Sequence, residues 1–178
     1  MNTRTNWIDT VKLSLPEHAA YLAENLDTVM VKCPAEKDCL SEIDAHACAL
    51  AAAMASGNGE LAFEISMNSP LFGNNIRELV AKAVIYEATN TPHRVFLDAA
   101  TEEGWQIRNS PLKYESKIKS DDLRQFIMFC LVSTVVNAYS DGIQRHIREL
   151  KSKGFTDDKI HAIAQIAFIV ASISKVVI

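Results

Sequence analysis

The chain has 178 residues, 48% of them apolar, which suits a single domain with a sizeable core. Five prolines and six glycines are too few for a turn-rich all-β protein. The net charge of −4, with no face that concentrates Lys and Arg, argues against nucleic acid as a partner.

The opening MNTRTNWIDT is polar and lacks the apolar centre of a secretion leader. Four cysteines without such a leader point to a reducing, cytoplasmic setting with free thiols. Ser14-Leu-Pro-Glu17 has the form of a capping box with proline at the first helical position. A helix is expected after it, with Ala20, Leu22, Leu26 and Val29 near one face and Cys33-Pro34 as its break. A second helix is expected from Glu36 or Asp38 through the alanine-rich LAAAMAS, closed by Gly57. GELAFEISMN forms a third, stopped by Ser69-Pro70.

NNIRELVAKAVIYEATN and TPHRVFLDAATEEG are expected as two further helices, the first capped by Asn74 or Asn75. Thr91 and Pro92 open the second, and Gly104 closes it. WQIRNSPLKYESKIK, 105–119, has no regular pattern and reads as a surface loop. Ser120-Asp-Asp opens the apolar run LRQFIMFCLVSTVV; a break at Asn137, Ser140 or Asp141 leads into IQRHIRELKSK, which ends at Gly154. Thr156 caps the last helix, HAIAQIAFIVASISKVVI. His161, Gln165 and Lys175 interrupt it, so it falls short of the roughly 20 apolar residues that span a bilayer. It reads as a buried helix, and no membrane is expected. Alternating strand patterns are nearly absent. The expected fold class is all-α: a helical bundle of about eight helices forming one domain over residues 1–178.

One stretch carries a recognisable spacing. In VVNAYSDGIQRHIREL, 135–150, Tyr139, Gly142 and His146 stand three and then four apart. That is the register of a Cys-x-x-Cys dithiol followed one turn later by histidine. The stretch VVNAYSDGIQRHIRELKSKGFTDDKIHAIAQIAFIVASISKVV resembles the alkylhydroperoxidase D branch of the carboxymuconolactone decarboxylase family. VKLSLPEHAAYLAENLDTVM and LAAAMASGNGELAFEI resemble the family's earlier helices.

The resemblance implies an alkylhydroperoxidase D-like helical protein linked to peroxide defence, forming homo-oligomers (trimers or hexamers). In that family a dithiol carries electrons from a lipoyl-bearing protein to a peroxiredoxin, while a glutamate and the motif histidine relay protons. Here the cysteine positions hold Tyr139 and Gly142, and the glutamate position falls at Ile127. Thiol exchange needs a thiolate nucleophile and two sulfurs in reach. Tyrosine, with a pKa near 10, and isoleucine supply neither the couple nor the proton relay. The expectation is a binding or structural homologue without the dithiol activity, its partner a peroxiredoxin or an active family relative.

Two alternatives stay open. In one, His146 and Tyr139 do acid–base catalysis on a small carboxylate held by Arg145 and Arg148. In the other, Cys33 and Cys39, six apart, form a relocated redox pair. No cofactor and no metal site is expected. Cys33, Cys39, His46 and Cys48 do not make a zinc set, because His46 and Cys48 point about 200° apart on a helix. Cys48 and Cys130 read as small core hydrophobes. The acidic pairs Glu102-Glu103, Asp121-Asp122 and Asp157-Asp158 read as helix ends and solvated faces.

Overall fold

The computed structural model describes residues 6–32, 39–72, 75–104 and 118–177. Among these there are eight α-helices and no strand: α1 (Trp7–Ser14), α2 (Tyr21–Asp27), α3 (Glu42–Ala55), α4 (Gly59–Met67), α5 (Ile76–Glu102), α6 (Leu123–Val136), α7 (Ser140–Ser152) and α8 (Asp157–Ile173). The all-α bundle is as expected. The Cys33-Pro34 break, Asn74 as a cap and most of the 105–119 loop lie outside the described residues.

Two helices form the centre. In α3 every residue from Ala45 to Ala53 is buried, and in α6 every residue from Phe126 to Thr134. A helix apolar all round must be covered all round. α3 packs against α4, α5, α6 and α8, while α6 packs against α3, α5, α7 and α8. The alanines of α3 let these neighbours approach closely, and Phe129, Met128 and Leu131 of α6 fill the space between them. The last helix buries Ile160, Ile163, Ile166, Val170 and Ile173 against this centre, so its apolar face is covered within one chain. No helix among the described residues is long and apolar enough to cross a membrane.

Several expected boundaries hold, each with its cap. Gly57 takes the left-handed conformation (φ 76°) after α3, and Gly154 does the same (φ 83°) after α7. The Thr156 hydroxyl accepts from the Lys159 amide at 3.2 Å. Asn58 caps α4 by accepting from the Leu61 amide, and its side-chain amide also donates to the Ser174 and Val177 carbonyls.

Four boundaries differ. The polar N-terminus contains a helix: the Asn6 side chain caps it at the Ile8 amide, and Trp7, Ile8 and Val11 turn inward. The capping box does not form, because the Ser14 hydroxyl donates back to the Val11 carbonyl at 2.7 Å. A short 3₁₀ turn at Glu17–Ala19 follows, α2 starts only at Tyr21, and the chain then widens into a π turn over Thr28–Lys32. Helix α3 starts at Glu42 with Ser41 as cap, later than Glu36 or Asp38.

The fourth difference matters for function. The two helices expected on either side of Thr91-Pro92 are one helix of 27 residues, with Pro92 inside it. Proline removes the hydrogen bond to the carbonyl one turn back and is costly in a helix interior. Packing overrides that cost: α5 lies along α6 and α3, with Leu79, Val80, Ala83, Glu87, Asn90 and Thr91 on its buried stripe. Thr91, free of a capping role, turns its hydroxyl to Glu87.

His46 ties α3 to α1. The Trp7 indole N–H donates to its Nδ1 at 2.9 Å, and the rings meet edge to face. Burial pushes the His46 pKa below its ordinary value of 6.5, and Glu42 opposes the shift. In the folded chain His46 therefore resists protonation that the unfolded chain accepts. The unfolded state binds the extra proton as pH falls below 6.5, so this contribution to stability is complete above that value and shrinks below it. Thermal melts between about pH 7 and about pH 5 should show a shallower acid-side loss of Tm for His46→Gln than for the wild type. Equal slopes would refute this role.

Candidate functional site

The motif region is built by the α6–α7 junction. Helix α6 ends at Asn137, and Ala138 takes a left-handed φ of 54°. The Tyr139 amide donates to the Thr134 carbonyl at 3.0 Å and the Ala138 amide to Val135 at 3.1 Å, a Schellman closure. A non-glycine residue in that conformation costs roughly 1–2 kcal/mol. It fixes the direction in which α7 leaves and the placement of Tyr139.

Gly142 is tightly covered. A Cβ built on it would stand 2.5 Å from Cδ1 of Tyr139 and 2.8 Å from Cγ2 of Thr134. The Thr134 hydroxyl is engaged by the Cys130 and Leu131 carbonyls, which holds its methyl group in place. The tyrosine ring thus lies over Gly142, and the space for any side chain there is filled. Tyr139 and Gly142 make a matched large–small pair.

Helix α7 turns a stripe of Gly142, His146 and Leu150 inward, with Asp141, Gln144 and Arg148 exposed. The four-residue spacing that buries Leu150 also buries His146. Its Nε2 lies 2.9 Å from Oε1 of Glu87, a fully buried carboxylate from the middle of α5. Its Nδ1 lies 3.3 Å from the half-exposed Glu149 carboxylate, one turn further along α7. Arg145 Nη2 donates to the same Glu87 oxygen at 3.3 Å, and the Thr91 hydroxyl donates to Oε2 at 3.0 Å. Arg145 also stands 3.2 Å from Nε2 of His146. An arginine nitrogen only donates, so Nε2 cannot both accept from Arg145 and donate to Glu87; with the proton on Nε2 it donates to Glu87 at 2.9 Å, and the Arg145 approach is then not a hydrogen bond.

Cys130 completes the cluster. It is 1% exposed, on α6, and its sulfur, a Glu87 oxygen and a His146 ring nitrogen all lie within 4.8 Å of one another. Burial, then the Glu87 charge, pushes its thiol well above the ordinary range, with Arg145 opposing. Cys48 is also raised, by burial first and then Asp44. Neither is poised as a resting thiolate. Near these residues along α5 and α6, Asn90 Nδ2 and Ser133 Oγ are buried without hydrogen-bond partners among the described residues.

The expected site residues are therefore only partly assembled. His146 and Arg145 meet, but on Glu87. Arg148 is exposed and turns back to the Gln144 carbonyl at 3.3 Å. No hydrogen bond joins Tyr139 to His146 among the described residues. Ile127 is buried as a packing residue, and the carboxylates beside His146 are Glu87 of α5 and Glu149 of α7. Cys130 is the buried residue expected, yet it packs against charge. Cys33 lies outside the described residues. Cys39 is disulfide-bonded, which departs from the expectation of free thiols, while Cys48 and Cys130 are free. Cys39 borders a cleft of about 370 Å³ at the N-terminal ends of α3, α6 and α8, beside Asp44, Arg124 and Lys159. Glu87 had a sequence signal: it falls on the same helical stripe as Leu79, Val80 and Ala83.

No family model matches the chain, and no curated protein matches it.

The Tyr139–Gly142 packing sets an expectation. Gly142→Ala should cost about 1–3 kcal/mol by overpacking. In a Tyr139→Ala background the cost should be markedly smaller, with Thr134 accounting for the remainder. A double-mutant cycle by chemical denaturation reads the coupling, and additive costs would contradict the contact.

Proposed function

We propose that the protein is an alkylhydroperoxidase D-like scaffold, linked to peroxide defence, that has lost dithiol exchange and works as a binding or structural subunit. The observation that carries this reading is the Tyr139 ring over Gly142. Where the resembled family needs two sulfurs in reach, this chain has an aromatic ring packed on a bare Cα. Disulfide exchange has no nucleophile there and no resolving partner. His146 supports the same reading: its two ring nitrogens meet Glu87, Arg145 and Glu149. With Arg145 committed to Glu87 and Arg148 exposed, acid–base catalysis on a small carboxylate has weaker support.

A second reading rests on one observation, the disulfide-bonded Cys39 at the edge of a cleft. It makes that cysteine, with Cys33 as the sequence alternative, the redox group. Peroxide reduction with dihydrolipoamide as donor distinguishes the two. The expected result is a rate at background for the wild type. Turnover above background overturns the first reading, and its loss in Cys39→Ala assigns the activity to the second.

Self-association, as a trimer or hexamer or with an active relative or a peroxiredoxin, belongs to the same proposal. The covered face of α8 does not require it. Exposed Ile85 and Val95 on α5, Phe63 on α4 and Phe168 on α8 support it, as large apolar side chains left in solvent. Light scattering at micromolar concentration should report a multiple of the chain mass, and a single-chain mass would overturn this part.

A further inference from the structure

We infer that Glu87, Cys130 and His146 form a binding site for a divalent transition metal ion, with zinc the best match. The inference is independent of the dithiol question, since none of the three is a motif cysteine position.

The three side chains come from three helices, α5, α6 and α7, and all three are buried. Each offers one donor atom, and the donors lie within 4.8 Å of one another. A tetrahedral zinc with bonds of about 2.0–2.3 Å holds its donors roughly 3.3–3.8 Å apart. The 2.9 Å gap between Nε2 and Oε1 must open by a few tenths of an ångström, within reach of a small carboxylate rotation. Carboxylate, thiolate and imidazole together suit zinc, and they are a poor match for magnesium or calcium, which prefer oxygen alone.

The surroundings are those of a ligand set. A metal-bound imidazole usually gives its other ring N–H to a carboxylate, and Nδ1 of His146 faces Glu149 at 3.3 Å. A ligating carboxylate is usually held by its second oxygen, and Thr91 donates to Oε2 of Glu87 at 3.0 Å. Three protein ligands leave a fourth position open to water or an exogenous ligand.

One group opposes the ion. Arg145 Nη2 stands 3.3 Å from Oε1 and 3.2 Å from Nε2, where a cation would bring its own charge. Its side chain is 22% exposed, so it can withdraw toward solvent. The guanidinium is then a competitor that the metal displaces. Binding is balanced by protons: the Cys130 S–H proton leaves as the metal–sulfur bond forms, and the ring proton moves from Nε2 to Nδ1, facing Glu149, as the metal–nitrogen bond forms, so one proton is released per ion.

The test uses the full chain, stripped with a chelator and titrated with Co²⁺ alone as the spectroscopic probe. The expected result is one equivalent per chain with a thiolate-to-cobalt charge-transfer band, bleached by Zn²⁺. The band should disappear in Cys130→Ser and in His146→Gln while the helical circular dichroism stays unchanged. Arg145→Met should bind at least about tenfold more tightly, a single lost charge repulsion of ordinary size. Absence of the band in the wild type, or its persistence in Cys130→Ser, overturns the site. Unchanged affinity in Arg145→Met overturns the competition.

Discussion

A carboxylate with no solvent contact sits in the middle of this bundle, and its neighbours are arranged around that fact. Placing Glu87 in the interior is costly unless charge and hydrogen bonds meet it. Arg145 and His146 supply two donors to one oxygen and Thr91 a third to the other. Because these groups come from α5 and α7, the network fixes how α7 lies against the rest of the bundle. It also explains the continuous α5. A helix ending before Pro92 would release Thr91 from the turn that carries it to Glu87. Packing along α6 and α3 holds the proline inside the helix and keeps that hydrogen bond.

The α6–α7 junction is the second constraint, and it works by volume. The left-handed Ala138 and the Schellman bonds set the chain reversal, after which Tyr139 lies on Gly142. Where a dithiol would need two small polar side chains facing one another, a ring and a hydrogen atom share the space. His146, one turn on, is held by the same inward stripe that buries Leu150. Its partner is an acid from a distant part of the chain, 59 residues away in sequence. The motif frame and the charged cluster are therefore neighbours built on different principles: the first is steric, the second electrostatic.

Much of the helical layout was legible because its signals are local. Gly57, Gly154 and Thr156 act within one turn, and each ends or starts its helix as read. The runs of α3 and α6 were legible as helices, and their burial over Ala45–Ala53 and Phe126–Thr134 shows that they form the centre. The failures are equally physical. Ser14-Leu-Pro-Glu17 has the residues of a cap, but Ser14 found a nearer acceptor in Val11. Thr91-Pro92 has the residues of a helix start, but tertiary packing outweighed proline's local cost. Cys130 reads as a small hydrophobe from its neighbours IMF and LVS, which say nothing about what approaches from α5 and α7.

By itself the sequence determined the helical class, most of the helix ends and the absence of cysteine at 139 and 142, because propensity, capping and residue identity act over a few positions. Only the tertiary structure decided that Tyr139 fills the space above Gly142, that Glu87 meets His146 and Arg145, and that Cys130 faces both. Those contacts join helices far apart along the chain. Which acid meets which base is set by how the helices rotate to bury their apolar stripes, a balance spread over the whole core that no short stretch of residues records.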